Sequence, residues 1–208
     1  MPRIHHPAAL QPGLAFELTP EGARHVQVLR LQPGDGITLF NGRGGEFVGR
    51  LAARGQQVEL TRHDPVERES PVAVTLVQAS IATDKLEWVV EKAVELGVAR
   101  IVLTATRRSV VRLDAARLAR RIDRLRDIAI AACCQCGRNR VPSIDAFGDL
   151  GSALAEAGAG ATGLVLQPDA PRSLVEIAAA TPGPIAIAVG PEGGFDADEF
   201  ALVRRAGF

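Results

Sequence analysis

The chain has 208 residues, 47% of them hydrophobic, and its 24 basic and 24 acidic side chains cancel to a formal net charge of zero. So much apolar material excludes a disordered polymer and suffices for one large domain or two small ones, while the charge balance argues against a generic polyanion binder. No apolar run approaches the roughly 18 residues of a membrane span, and the first residues carry prolines, histidines and an arginine where a secretion signal needs an apolar stretch, so a soluble cytoplasmic protein is expected.

Thr19-Pro20-Glu21 supplies a capping side chain, a proline where no N–H is needed and an acid in the first turn, which together predict a helix over 20–29. Pro33-Gly34-Asp35-Gly36 then turns the chain. Short apolar segments predict strands over 37–40, 46–52 and 57–62, separated by Asn41-Gly42-Arg43-Gly44-Gly45 and Arg54-Gly55. A small, partly open barrel is the natural way for so few strands to bury one face. Asp64-Pro65-Val66-Glu67-Arg68-Glu69-Ser70-Pro71 is polar, bracketed by prolines and aperiodic, and sets a domain boundary between 1–68 and 69–208.

Beyond it the texture changes. Residues 72–78 read as a buried strand, after which Leu86, Val89, Val90, Ala93 and Val94 recur at helical spacing up to a cap at Gly97. A strand follows over 100–104. Asp114 is expected to cap a long helix whose buried stripe is Leu118, Ile122, Leu125 and Ala129, with Arg117, Arg120, Arg121 and Arg124 on the opposite side. Gly137 closes it. Strands over 163–166 and 184–189 alternate with helices near 149–157 and 173–180. This alternation specifies an α/β domain with a mainly parallel sheet covered on both faces.

Charge is segregated along the chain. From Arg107 to Arg140 ten arginines face three aspartates, a local charge of +7, against −1 for residues 1–106 and −6 for 141–208. Guanidinium groups grip phosphates bidentately and stack on bases, so this third of the chain suits RNA; a solvated helix face in an arginine-rich protein is the alternative. Gly190-Pro191-Glu192-Gly193-Gly194-Phe195 lies between an apolar strand and a helix opened by the pair Asp196 and Glu199, spaced as a capping box. It reads either as a ligand loop at a strand C-terminus or as an ordinary turn. Nucleoside-triphosphate and dinucleotide signatures are absent: no G-x-x-x-x-G-K-[ST] run exists, and Phe47 stands where Gly42-Arg43-Gly44 would need a third glycine. Cys133, Cys134 and Cys136 lack C-x-x-C spacing and a fourth ligand, and read as helical thiols, not a zinc site. Gln135-Cys136-Gly137-Arg138-Asn139-Arg140-Val141-Pro142 is either a plain helix stop or a grip for a phosphate and an extruded base.

Several segments then occur in a fixed order: Pro2-Arg3-Ile4; His25 to Leu31 with Gly34-Asp35; Lys92-Ala93-Val94-Glu95-Leu96-Gly97-Val98; and Thr106-Arg107-Arg108-Ser109. Gln135 with Arg138 and Pro142, Leu164-Val165-Leu166, and Gly190 to Phe195 with Glu199 complete the series. In this collinear combination the chain resembles the RsmE family, 16S ribosomal RNA uridine-N3 methyltransferases that join a knotted SPOUT-type α/β catalytic domain to a small N-terminal PUA-like β-barrel domain. The resemblance implies S-adenosylmethionine as cofactor, with Leu166, Gln167 and Pro168 on one wall of its pocket and Gly190, Pro191, Glu192, Gly193 and Gly194 on another. It further implies Arg3, Arg107, Arg108, Arg138 and Arg140 as RNA contacts, 16S ribosomal RNA within the small subunit as substrate, no metal, and a homodimer with active sites near the interface. In the family the chain runs on past the position of Gly207-Phe208 through an L-G-x-R-I-L-R-x-E-T-A segment. The expectation is that these 208 residues lack part of the cofactor site and of the knot, so that either the polypeptide is longer or this form is inactive.

Methylation of uracil N3 needs the imide proton removed and the developing anion stabilised. Arg138 is the expected catalytic cation, and Glu192 is either a base or a hydrogen-bonding brace for its loop. Two rival readings are a knotted methyltransferase acting on transfer RNA and a non-catalytic RNA-binding assembly factor, the latter distinguished by its indifference to the cofactor.

Overall fold

The computed structural model describes residues 1–53, 56–109, 115–180 and 182–208, with the side chains at 115, 178 and 179 excepted. The turn expected at Arg54-Gly55 and the cap expected at Asp114 lie outside the described residues. Two compact units form: Met1–Glu69 with Ile130–Val141, and Ser70–Ala129 with Pro142–Phe208.

The first unit contains β1 (Arg3–His5), β2 (Ala15–Glu17), α1 (Pro20–Val28), β3 (Gly36–Phe40), β4 (Glu46–Leu51) and β5 (Gln57–Asp64). Thr19 caps α1 by accepting from the Gly22 N–H at 3.2 Å. The central strands form the expected meander, antiparallel from β3 through β4 to β5 with an irregularity at Val48/Gly49. Gly44 and Gly45, with φ of +108° and +65°, make the turn that joins β3 to β4, backbone angles that a β-carbon would penalise. Sequence reading missed the edge strands: β1 pairs parallel to β3 and β2 antiparallel to β5, giving the order β1-β3-β4-β5-β2. Each has only three residues, too few to show a period. The curled sheet closes over Ile4, Leu10, Leu18, Val26, Ile37, Leu39, Phe47, Leu51, Val58 and Leu60.

The second unit is a parallel five-stranded sheet in the order β8-β7-β6-β10-β9. Its strands are β6 (Val74–Ala79), β7 (Arg100–Thr104), β8 (Ser143–Phe147), β9 (Thr162–Val165) and β10 (Ile185–Val189), with helices α2 (Thr83–Glu95), α4 (Leu150–Gly158), α5 (Leu174–Ala180) and α6 (Ala197–Arg205) between and after them. The long helix α3 (Ala115–Cys136) begins in this unit and ends in the first. Strand β8 was not anticipated, because Ser143 and Asp145, on either side of Ile144, interrupt any apolar run. Leu150, Ala153, Leu154 and Ala157 of α4 and Val203 of α6 pack on Val77, Val102, Ala186 and Ala188 of the central strands. Along α3, Leu125 and Ala129 are buried, whereas Leu118 and Ile122 are half-buried. The arginines are not strictly opposite this stripe: Arg121 lies on its flank, half-buried, and donates to the Ile81 carbonyl at 2.9 Å.

Candidate active site

In a parallel sheet the strands' carboxyl ends open on one edge, where connections diverge and a ligand can sit. Here β9 and β10 are paired neighbours, Val165 opposite Ala188, so the residues that leave them, Leu166-Gln167-Pro168 and Gly190 onward, emerge side by side. The Leu166 N–H donates to the Ala188 carbonyl at 3.0 Å, which extends the pairing to the brink of the loop. Leu166 remains 46% exposed, and Glu192, Gly193 and Gly194 are exposed beside a buried Pro191. This is an open ledge with an apolar flank.

The glycines serve two purposes. A β-carbon on Gly190 would come within 3.1 Å of the Phe195 nitrogen and 3.2 Å of the Gly194 carbonyl carbon, so the loop folds too tightly on itself for a side chain there. Gly194 adopts φ of +69° and has open space where a β-carbon would be. The Gly194 N–H donates to the Pro191 carbonyl at 2.8 Å, a turn that leaves the outer backbone approachable.

Neighbouring elements hold this loop. Lys85 of α2 bonds the Glu192 carboxylate at 3.0 Å. Glu192's own backbone N–H, then Lys85, hold its carboxyl below the ordinary range, and the Ala82 N–H adds to the effect. It is therefore ionised and bound as an anion at the start of α2, whose N-cap, Ala82, has no side chain able to bond the first turn. Arg108 donates to the Gly193 carbonyl at 2.6 Å. Arg107 is committed to Asp196 at 3.1 Å and Asp198 at 2.8 Å. Glu199, 8% exposed, accepts from the Asp196 N–H at 3.0 Å and from the Arg107 N–H at 2.7 Å. The first bond completes the anticipated capping box; the second ties α6 to the segment after β7. Spacing in the sequence could reveal only the first.

The other arginines named from the sequence gather in the first unit, around residues 137–141. Arg138 is 4% exposed, and its guanidinium is held by Glu69 through Nε at 3.0 Å and through Nη2. It is thus part of an internal scaffold, and its surroundings do not support the direct catalytic contact expected of it: burial at this point demanded an anion, and the chain supplied its own. Arg3 pairs with Glu46 and donates to the Arg138 carbonyl at 3.1 Å and to Asn139 Oδ1 at 2.7 Å. Asn139, fully buried, also donates to the Val66 carbonyl at 2.7 Å, and its own carbonyl accepts from the Gly44 N–H. Arg140 is exposed and bonds Glu67 at 3.1 Å. Burial pushes the Cys133 thiol up to about 12, so it stays protonated.

A cavity of about 750 Å³ in the second unit lies among the ends of β7 and β8, the start of α4 and residues 198–202 of α6, and includes Arg107. Neither 166–168 nor 190–194 lines it. The glycine-rich backbone and its apolar flank lie at the ledge, outside this hollow.

Residues 68–208 match the model of an RNA methyltransferase domain, and residues 18–61 that of an RNA methyltransferase PUA domain. The chain is 33% identical over 201 residues to the ribosomal RNA small subunit methyltransferase E of Mycobacterium bovis, an alignment covering 90% of this chain and 74% of that protein. The protein of the same name from Bacillus subtilis is 32% identical over 62% of this chain and 52% of its own length. Among solved structures, the ribosomal RNA small subunit methyltransferase E of Neisseria gonorrhoeae bound to S-adenosylmethionine superposes with a TM-score of 0.91 at 35% identity, covering all of this chain and 87% of that one. A methyltransferase of Legionella pneumophila in complex with the same cofactor gives 0.91 at 36% identity, over all of this chain and 86% of its own.

Proposed function

Since the chain belongs to the ribosomal RNA small subunit methyltransferase E family and is an S-adenosylmethionine-dependent methyltransferase of 16S ribosomal RNA, we propose that it modifies N3 of a uridine at the ledge formed by Leu166 and Gly190–Gly194. The observation that carries this assignment is the pairing of β9 with β10, which brings an exposed leucine and a glycine-rich loop together at the carboxyl edge of the sheet. Leu166, Gln167 and Pro168 would flank the cofactor on one side, and Gly190, Pro191, Glu192, Gly193 and Gly194 would hold it on the other. When bound, the cofactor supplies an electrophilic methyl group on a sulfonium.

The chain's own task is positioning and charge. Glu192, kept ionised by its N–H and Lys85 partners, braces the loop against α2 and is not assigned as the base. Arg108, fastened to the Gly193 carbonyl, is the cation best placed to stabilise an anionic uracil at this ledge. Arg138 becomes a positioning residue that fixes the 137–141 loop, with Arg3 as its companion, and Arg140 and Arg107 keep surface to offer RNA. We assign residues 1–68 to RNA positioning and 69–208 to methyl transfer. A homodimer is the proposed assembly, supported by large apolar side chains left exposed on and just beyond α2, Trp88 and Leu96. A cytoplasmic location is proposed, supported by a ribosomal RNA substrate; among the described residues no helix is long and apolar enough to cross a membrane.

The test is incubation with S-adenosylmethionine and either deproteinised 16S ribosomal RNA, small subunits or transfer RNA, followed by digestion and mass spectrometry of nucleosides. 3-Methyluridine is expected in the ribosomal samples only. Cofactor binding without that product, or product only in transfer RNA, overturns the assignment. Sedimentation analysis tests the dimer.

A further inference from the structure

We propose that the groove between α2 and α3 is a binding site for RNA backbone phosphate, separate from the methyl-transfer ledge. The groove, of about 290 Å³, sets Arg117, Arg120, Arg121 and Arg124 of α3 against Thr83 and Glu87 of α2. Glu87 is the one carboxylate among the residues that line it. Glu87 is engaged by Arg124, with Nε and Nη2 each 3.3 Å from its oxygens, and the pair fixes one wall. Of the other carboxylates carried by α3, Asp123 bonds Arg126 at 3.2 Å, outside the groove, and Asp127 acts on Arg124.

A merely solvated helix face would carry its arginines outward with their heads in water. Arg117, Arg120 and Arg124 are exposed in this way, but Arg121 turns in. Its Nη2 reaches the Ile81 carbonyl at 2.9 Å, while its Nε is buried with no hydrogen-bond partner among the described residues. Burial works against its charge, and only Glu87 offsets that effect. A sunken cation with an unanswered donor, at the side of a groove rimmed by further guanidinium groups, is built for a multivalent anion with several acceptor oxygens.

Placement narrows the anion. Arg121 holds the carbonyl of Ile81, and Lys85, in the first turn of α2, holds the Glu192 carboxylate of the glycine loop at 3.0 Å. Groove and loop therefore flank a single crossing from β6 to α2. An anion in the groove would lie beside the segment that braces the ledge, where phosphates flanking a target nucleotide would run. The identity of the ligand rests on the methyl-transfer reading above; the existence of the site does not.

The experiment measures the affinity of the full chain for deproteinised 16S ribosomal RNA across a salt series, for the wild type, for Arg117→Gln/Arg120→Gln, and for Arg117→Lys/Arg120→Lys. Both positions are exposed, so unchanged thermal melting is expected of each variant. A single-stranded contact contributes about 0.7 to the slope of log K against log salt. The Gln pair is therefore expected to lower that slope by about 1 to 1.5 and to weaken binding roughly tenfold or more at low salt, leaving S-adenosylmethionine affinity untouched and the Lys pair near the wild type. An unchanged slope in the Gln pair overturns the proposal, as does an equal loss in the Lys pair. If the wild type binds this RNA but transfers no methyl to it, the methyl-transfer reading fails while the slopes still decide the groove.

Discussion

Glu199→Gln removes a single negative charge from a nearly isosteric side chain, and its cost can be worked from two bonds. The carboxylate accepts from the Arg107 N–H at 2.7 Å through one oxygen and from the Asp196 N–H at 3.0 Å through the other, at 8% exposure. A glutamine has one acceptor oxygen; whichever N–H it serves, its NH₂ is pressed against the other. One charge-assisted bond, worth about 1.5–3 kcal/mol, is lost, and a part-buried N–H is left facing a donor, for about 1–3 kcal/mol, with some overlap between the two. About 3 kcal/mol is a fair combined figure, and for a chain of this size it lowers the melting temperature by about 6–12 °C. The exposed pairs of Arg107 with Asp196 and Asp198 persist but cannot compensate, because surface pairs contribute little. Circular dichroism melts read the stability, and calorimetric titration with S-adenosylmethionine reads the ledge, whose loop leads directly into the capped start of α6. Both the melting temperature and the cofactor affinity should fall. A variant melting within about 1 °C of the wild type would show that Glu199 does not join these segments in solution, and the account of how the loop is held would go with it.

Other perturbations separate bracing from chemistry. Glu192→Gln should weaken S-adenosylmethionine binding modestly and leave the pH dependence of methylation unchanged; loss of an ionisation from the pH–rate profile would restore Glu192 as the base. Arg138→Ala takes the guanidinium from the half-buried Glu69 carboxylate and should cost about 1–3 kcal/mol, so its methylation defect should come with a lowered melting temperature; a defect at unchanged melting would return Arg138 to a direct role. Arg108→Ala should reduce turnover with little change in melting. Around Glu46, burial acts to raise the carboxyl, but the guanidinium groups of Arg68 and Arg3 outweigh it and hold it below the ordinary range. A depressed folded-state value means stability that is present above the unfolded value, about pH 4, and is lost as pH falls through the folded one. Glu46→Gln should therefore destabilise the protein at neutral pH and shrink its acid-induced loss of stability, as equilibrium unfolding at pH 7 and pH 3 would show.

What could be read from the sequence was what depends on neighbours along the chain. The cap at Thr19, the box formed by Asp196 and Glu199, the glycine turn before β4 and the apolar runs of β7 and β10 each involve groups a few residues apart, and each appears in the structure. The ledge was legible for a related reason: a glycine-rich turn after an apolar strand has a fixed location in any parallel sheet. What could not be read was the role of individual arginines, because a guanidinium is defined by the anion it meets, and those anions are distant in sequence. Arg138 meets Glu69, Arg3 meets Glu46, and Arg107 meets Asp196 and Asp198. The arginine-rich third of the chain looked like one basic surface, whereas several of its charges are answered within the fold. The same logic that ties Arg138 to Glu69 singles out the groove beside Arg120 and Arg121: the one carboxylate among its lining residues, Glu87, is engaged by Arg124, and the buried Arg121 Nε meets no acceptor among the described residues, so under the proposal a phosphate of the RNA supplies it.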